Sequence, residues 1–257
     1  MSVLVLRLAG PLQAWGSSAR FARRTTETAP TKSGVIGLLA AALGRQRDAD
    51  PSDLAELTFA VRIDQPGTRL RDFQTAHHPD TGKSMPVSER FYLADAVFVA
   101  AVAGDDDFVQ ALDTAVRAPV YLPYLGRRSC PPQGPLDLGV RDGNDPAAVL
   151  RAEPWQAAAW HQKRSRSKAT VSLSLLADAT TGPRTGTTLR DQPISFDPAH
   201  RRYALRTVVT TSVDVDNPHF RPAEPPKHTP RRPVPVPRHT PEAHLTPLPM
   251  QPPLNGR

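Results

Sequence analysis

The stretch YLPYLGRRSCPPQGPLDLG, residues 121–139, gathers Tyr124, Gly126, the adjacent Arg127 and Arg128, Ser129 and the only cysteine, Cys130, among prolines. Two chemistries suit these residue types. A nucleophilic thiol needs an activating neighbour, and nothing beside Cys130 supplies one, so this cysteine reads as a small packing residue. Paired guanidinium groups next to a glycine instead offer planar donors for phosphate and flat faces for bases, while the glycine lets backbone approach a ligand closely. The loop reads as a phosphate grip, against the plainer alternative of a solvated basic turn.

A second candidate is PTKSGVIG, residues 30–37, where Lys32, the Ser33 hydroxyl and unpaired backbone N–H groups meet at the positive end of a helix. A phosphate suits that position, and so does ordinary capping. The segment lacks the upstream glycine of a nucleotide-hydrolysing phosphate loop, which excludes that chemistry. Trp15 can stack on a base or anchor its own loop. Between 64 and 91, Arg69, Arg71, His77, His78, Lys83 and Arg90 surround Phe73, Met85, Phe91 and Tyr92, a mixture suited to covering or parting a nucleic-acid strand. His77 and His78 are of the type that performs acid–base catalysis, but their spacing forms no recognisable constellation. HQKRSRSK, residues 161–168, reads as a solvated loop whose RNA-facing alternative rests on charge.

The elements that position these residues follow from pattern. VLVLRLAG is a mostly buried strand stopped by Gly10 and Pro11. Thr31 caps a helix whose apolar face runs from Val35 to Leu43. LTFAVRI (57–63) and DAVFVAAVAG (95–104) are strands, DDDFVQALDTAVRAP is a helix with acidic residues in its first turn, and VYLPYLG is a short fourth strand. Strand, helix, strand, strand, helix, strand is the order of an α+β, ferredoxin-like (RRM-like) domain, with two helices on one sheet face and the other face free. That domain is expected over residues 1–144, with a small β-rich C-terminal part over 145–216 packed on it. Residues 217–257 form a Pro-rich basic tail, expected to be disordered: thirteen of the 29 prolines lie between 218 and 257.

Composition narrows the function classes. The chain has 257 residues, 39% of them hydrophobic, enough for a real core. Thirty-two Lys and Arg against 25 Asp and Glu leave +7, which favours polyanionic partners. One cysteine excludes an internal disulfide and a multi-cysteine zinc site, so the expected compartment is reducing, the cytoplasm. No metal and no cofactor are expected. The run from Val3 to Leu8 carries Arg7 and has neither a basic flank nor a cleavage site, and no apolar run is long enough to span a membrane, so neither a secretory signal nor a membrane partner is expected.

With these residues collected, the chain resembles the CasD family of subunits of Cascade, the type I-E CRISPR surveillance complex, within the RAMP superfamily of RNA-binding CRISPR proteins. The segments that carry the resemblance are LRLAGPLQAWG, PTKSGVIGLLAAALG, LRDFQTAHH, RFYLADAVF, YLPYLGRRSCP with PLDLG, and RDQPISF, in order across residues 4–216. The resemblance implies a ferredoxin-like domain with a protruding β thumb over about 68–92. It also implies a role in antiviral defense: holding the 5′ handle of the CRISPR RNA (crRNA), capping the filament of backbone subunits, and touching the large PAM-recognising subunit. Target DNA is then met indirectly, through the complex, with the thumb pressing over the guide where the handle meets the spacer. By motif, the resemblance places Gln13, Trp15 and Gly16 near RNA in the first loop and Lys32 and Ser33 at the helix start. Tyr124, Gly126, Arg127, Arg128, Ser129 and Cys130 form the loop beside the handle, with Arg71, His77 and Arg90 on the thumb. The tail after Asp216 has no counterpart in the family pattern.

Two functions of different class follow. A non-catalytic RNA-binding scaffold needs only phosphate contacts, stacking and shape. The alternative, a metal-independent endoribonuclease that processes CRISPR repeat RNA, needs a base for the 2′-OH and an acid or cation at the scissile phosphate, for which His77, His78, Lys83 and Tyr92 are the available types.

Overall fold

The computed structural model describes residues 1–17, 23–179 and 186–222, all within one compact unit, Met1–Pro222. The tail from 223 onward lies outside the described residues. The chain opens with β1 (Ser2–Ala9), two short strands, β2 (Leu12–Gln13) and β3 (Arg23–Arg24), and then α1 (Lys32–Ala42), which Thr31 caps by accepting from the Gly34 N–H. A short α2 (Ser52–Glu56) precedes β4 (Thr58–Gln65), and the hairpin β5 (Thr68–Gln74) and β6 (Ser88–Ala94) leads into β7 (Val97–Gly104). Next comes α3 (Asp106–Arg117), where the Asp105 carboxylate accepts from the Asp107 and Phe108 N–H groups and Arg117 sits in the last turn, both favourable to the helix dipole. After a long loop come β8 (Asp137–Asp142), α4 (Pro146–Ala152), α5 (Ala159–Arg164), β9 (Thr170–Asp178), β10 (Thr187–Ser195) and β11 (Arg202–Asp216).

Seven strands form one antiparallel sheet in the order β10-β11-β9-β4-β7-β1-β8. The strand that follows α3 is β8, not VYLPYLG (120–126): Pro123 and the turn at Gly126 keep that stretch irregular, and pairing with β1 begins only at Asp137. The C-terminal β segment does not form a part packed on the first unit. It lengthens the same sheet, because β9 pairs directly with β4 from Ala60↔Ala177 to Ile63↔Ser174. Pattern reading also passed over β10, whose Pro193 and shifting register suit an edge strand, and over α2 and α5, each too short to show a helical period.

Side-chain alternation sends Leu4, Leu6, Leu8, Phe59, Phe98, Ala100 and Val102 to one face, where α1 and α3 add Val35, Ile36, Leu39, Val109 and Leu112. Val3, Val5, Ala60, Val99 and Ala101 go to the other. That face is not free: Ala147, Leu150, Trp155 and Ala157 close over it as a second core. Continuous apolar runs such as VLVL and VFVAAVA are what strands covered on both faces require.

A buried ion pair holds this second layer down. Arg62, wholly buried on β4, bonds the Asp64 carboxylate through Nε at 2.7 Å and Nη2 at 2.9 Å. Its remaining donors reach the carbonyls of Leu150 and Glu153, both at 2.6 Å, and Pro154 at 2.8 Å. All five guanidinium N–H groups are thus used. Asp64 accepts in addition from the Gln156 N–H at 2.6 Å, and its carbonyl accepts from Trp155 Nε1 at 2.9 Å. Removing one partner leaves an uncompensated buried charge, so Arg62→Ala is expected to cost about 3–5 kcal/mol in urea unfolding, whereas Arg45→Ala, which breaks the exposed Arg45–Asp53 pair, costs about 1 kcal/mol or less.

Candidate nucleic-acid interface

Three loops are bound together above the start of α1. Gln13 is wholly buried: its Nε2 donates to the carbonyls of Leu8 at 3.0 Å and Ala96 at 2.8 Å, and its Oε1 accepts from Trp15 Nε1 at 3.0 Å. The Trp15 ring lies against Gly34, where a Cβ would meet its Cε3 at 2.8 Å. Opposite, the Ala14 N–H donates to the Leu125 carbonyl at 3.1 Å, and a Cβ on Gly126, whose φ is +85°, would fall 1.8 Å from the Ala14 carbonyl oxygen. The glycine of the arginine loop therefore serves a close approach to its own chain rather than to a ligand. Cys130 seals the join from beneath, its N–H donating to Arg127 and its carbonyl accepting from Leu125.

Above this join lies an open groove of about 1430 Å³. Gly16, Ser33, Tyr124, Gly126, Arg127 and Arg128 line it, with the wholly buried Trp15 beneath. Among the described residues six arginines, Arg24, Arg45, Arg47, Arg127, Arg128 and Arg201, line it with two aspartates, Asp48 and Asp197, and Tyr121, Phe196 and Tyr203 add aromatic surface. Such a lining fits a chain of phosphates with stacked bases. Sequence reading found one side of the groove. The Arg45–Arg47 turn and the Phe196–Tyr203 wall escaped it, because residues separated by some 150 positions share no local period; the only available signal was RDQPISF, which ends on Phe196.

Arg127 ties the groove to the hairpin. Its Nη2 donates to the Arg24 carbonyl at 2.8 Å, and its guanidinium lies 4.7 Å from the centre of the Tyr92 ring on β6, while Nη1 is buried without a partner among the described residues. The hairpin root repeats the pattern: Arg69 lies 4.4 Å and Arg23 5.5 Å from the Phe91 ring centre. Farther out, Arg71 sits 4.6 Å from the Phe73 ring centre and pairs with Glu89 at 2.7 Å. His77 is exposed near the tip, its Nδ1 within 3.3 Å of the Gly82 carbonyl, and Arg90 is half-buried beside β3, its Nε without a partner among the described residues. Leu70, Phe73, Met85 and Val87 present apolar surface along the same hairpin. None of Arg71, His77 and Arg90 lines the groove.

Besides Trp15, whose Nε1 donates to Gln13, and Ser33, whose hydroxyl donates to Thr31, three residues expected at a ligand have their polar groups committed inside the chain. Gln13 is one. Lys32 is another: it is 4% exposed, its Nζ pairs with Asp178 at 3.2 Å, and burial lowers its pKa with Asp178 opposing. The phosphate position at the head of α1 is filled by a carboxylate, since the Lys32 N–H donates to Asp191 at 2.8 Å. Arg206 completes this cluster, bonding Asp191 at 2.7 and 2.8 Å and Asp178 at 2.6 Å. Cys130 is the third, wholly buried, and burial pushes its thiol above the ordinary value. Ser129 is exposed beside it, 3.9 Å from the sulfur. Among the described residues no group of His, Cys, Asp and Glu is arranged to hold a metal ion.

The family model described as CRISPR-associated protein (Cas_Cas5) matches residues 3–209. The chain is 43% identical to the CRISPR system Cascade subunit CasD of Escherichia coli (strain K12), over 60% of this chain and 78% of that protein. It is also similar to a chain of a CRISPR RNA-guided surveillance complex, with a TM-score of 0.69 and 35% identity over 88% of this chain and 95% of that one. A crystal structure of a Cas protein matches with a TM-score of 0.65 and 34% identity, over 87% of this chain and all of that one, 100%.

The join makes its own prediction. Gly126→Ala combines a positive φ with a backbone collision and should lower stability by about 1–3 kcal/mol in urea unfolding, whereas Gly134→Ala, with open space at its Cβ, should change it little.

Proposed function

The chain belongs to the Cas5 family of CRISPR-associated proteins, and we propose that within a Cascade-type surveillance complex it is a non-catalytic RNA-binding subunit that holds the 5′ handle of the CRISPR RNA. The observation that carries this reading is the groove: among the described residues six arginines line it over a floor of packed backbone, bordered by aromatic rings. Phosphates of a short single strand are the complement of that surface, and contact through guanidinium groups needs no fixed base sequence.

The strand order β4-β7-β1-β8, with α1 and α3 on one face, is read here as ferredoxin-like, and the β5–β6 hairpin as the family's thumb. Arg127 couples the two, so a strand seated in the groove leaves it at the thumb's root, where the handle gives way to the spacer. The outer hairpin, with its exposed Phe73 and Met85, then lies over the guide and interrupts pairing with target DNA. Capping of the backbone filament and contact with the large PAM-recognising subunit belong to the same proposal, as does a cytoplasmic location. Among the described residues no helix is long and apolar enough to cross a membrane.

Nothing in the geometry favours the endoribonuclease alternative. His77 is directed at the Gly82 carbonyl and Ser84 within its own hairpin tip, His78 faces Asp80, and Tyr92 lies under Arg127.

Binding of a labelled handle RNA by the purified chain should weaken with salt. Arg128→Ala, which removes an exposed lining cation, should lower both the affinity and the log–log salt slope, the latter by about 0.7 for one single-strand phosphate contact. An unchanged slope would overturn the groove assignment. Incubation with repeat RNA in EDTA should leave the RNA intact; specific cleavage that disappears in His77→Ala would establish the nuclease instead.

A further inference from the structure

The basic run after the second layer has no part in the groove. α5 carries Trp160, Lys163 and Arg164, and the turn that follows carries Arg166 and Lys168. Asn217 holds the end of β11 against this turn: its N–H donates to the Ala169 carbonyl at 2.8 Å, and its Nδ2 donates to Gln162 at 3.2 Å and Ser165 at 2.9 Å. The Arg221 N–H then donates to the Arg166 carbonyl at 2.8 Å, which brings Phe220 and Arg221 alongside the run. Five cations, Lys163, Arg164, Arg166, Lys168 and Arg221, are exposed here, and among the described residues none is held in an ion pair.

Two aromatic rings stand among them. Trp160 is 51% exposed and Phe220 42%. The Trp160 ring is set edge-on by His161 at 5.5 Å, and His161 in turn lies edge-on to the buried Trp155 at 5.9 Å. Burial, and after it the Arg164 charge, lowers the His161 pKa. The platform is therefore backed by packed core rather than carried on a free loop. It also lies on the far side of the sheet from the groove: Trp155 and Ala157 close the face of Val3, Val5 and Ala60, whereas the groove borders α1 on the opposite face.

We propose that this surface is a second nucleic-acid site that binds a single strand, with phosphates on the five cations and bases stacked on Trp160 and Phe220. A duplex fits it poorly, because its bases are already stacked and offer no face to an exposed ring. The proposal goes beyond handle binding, since a strand seated in the groove would have to pass around a sheet edge to reach it.

Tryptophan fluorescence tests it in the full chain. Trp15 is wholly buried and Trp155 is 6% exposed, so quenching by an added strand reports on Trp160. An oligothymidylate of about 16 nucleotides, at the upper end of single-strand site sizes, should quench the emission saturably. The quench should vanish in Trp160→Leu, with affinity lowered about ten-fold for the loss of one stacked base. Removing four cations together (Lys163→Ala, Arg164→Ala, Arg166→Ala and Lys168→Ala) should reduce the log–log salt slope by up to about 2.8, at 0.7 per phosphate. Handle-RNA binding should survive in both variants, and thymidylate quenching should survive in Arg128→Ala, so failure of either site is seen separately. Three results would each overturn the proposal: no quench in the unaltered chain, equal binding of a duplex without quench, or an unchanged slope in the four-cation variant. Loss of a co-purifying subunit from that variant, without any thymidylate binding by the parent chain, would show a protein-docking surface and also overturn it.

Discussion

The Arg62–Asp64 pair sets what the sheet is. A charged side chain pointing from a central strand into an apolar face is tolerable only if every donor finds a partner, and the carbonyls that Arg62 bonds are those at the end of α4. Satisfying the guanidinium therefore brings residues 150–158 down over Val3, Val5, Ala60, Val99 and Ala101. A sheet that would otherwise expose one face becomes the middle of three layers. Trp155 then adds its bulk to the apolar contact and its Nε1 to the Asp64 carbonyl, so packing and polar satisfaction reinforce each other.

The groove on the other face obeys a similar economy. Its cations are presented by loops, and loops hold a shape only when their backbone is fixed elsewhere. Here the fixing is done by residues with no polar group to spare for a ligand: Gln13 bonded on both ends of its amide, Trp15 packed on Gly34, and Gly126 pressed against Ala14. Arg127 stands at the boundary, held by the Arg24 carbonyl and the Tyr92 ring yet lining the groove. The distribution of charge is consistent with this division. Arg206 and Lys32 are enclosed by Asp178 and Asp191 and stabilise the junction of α1 with β9, β10 and β11, Arg62 is held by Asp64 beneath the second layer, and exposed cations lie in the groove, on the hairpin and along the run after α5.

Much of this was legible in the sequence. β1, β4, β7, α1 and α3 carry apolar periods long enough to identify them, with Thr31 capping α1 as its position implies and acidic residues in the first turn of α3. The basic loop at 126–129, the arginine-rich excursion between β4 and β7, and the inertness of the cysteine were likewise visible, because they depend on composition and on neighbours within a few residues. Even the covered second face left a trace, in strands apolar at every position rather than at every other one.

Tertiary structure alone decided which polar groups are free. Lys32 and Arg128 look equally available on paper, yet one meets Asp178, 146 residues away, and the other meets open groove. A wall of that groove comes from Phe196, Arg201 and Tyr203, which no local pattern connects to the arginine loop. The physical reason is the same in each case. Periodicity and capping are set by interactions a few residues apart, whereas burial, ion pairing and the shape of a surface depend on which distant strands become neighbours, and that is fixed only when the whole sheet forms.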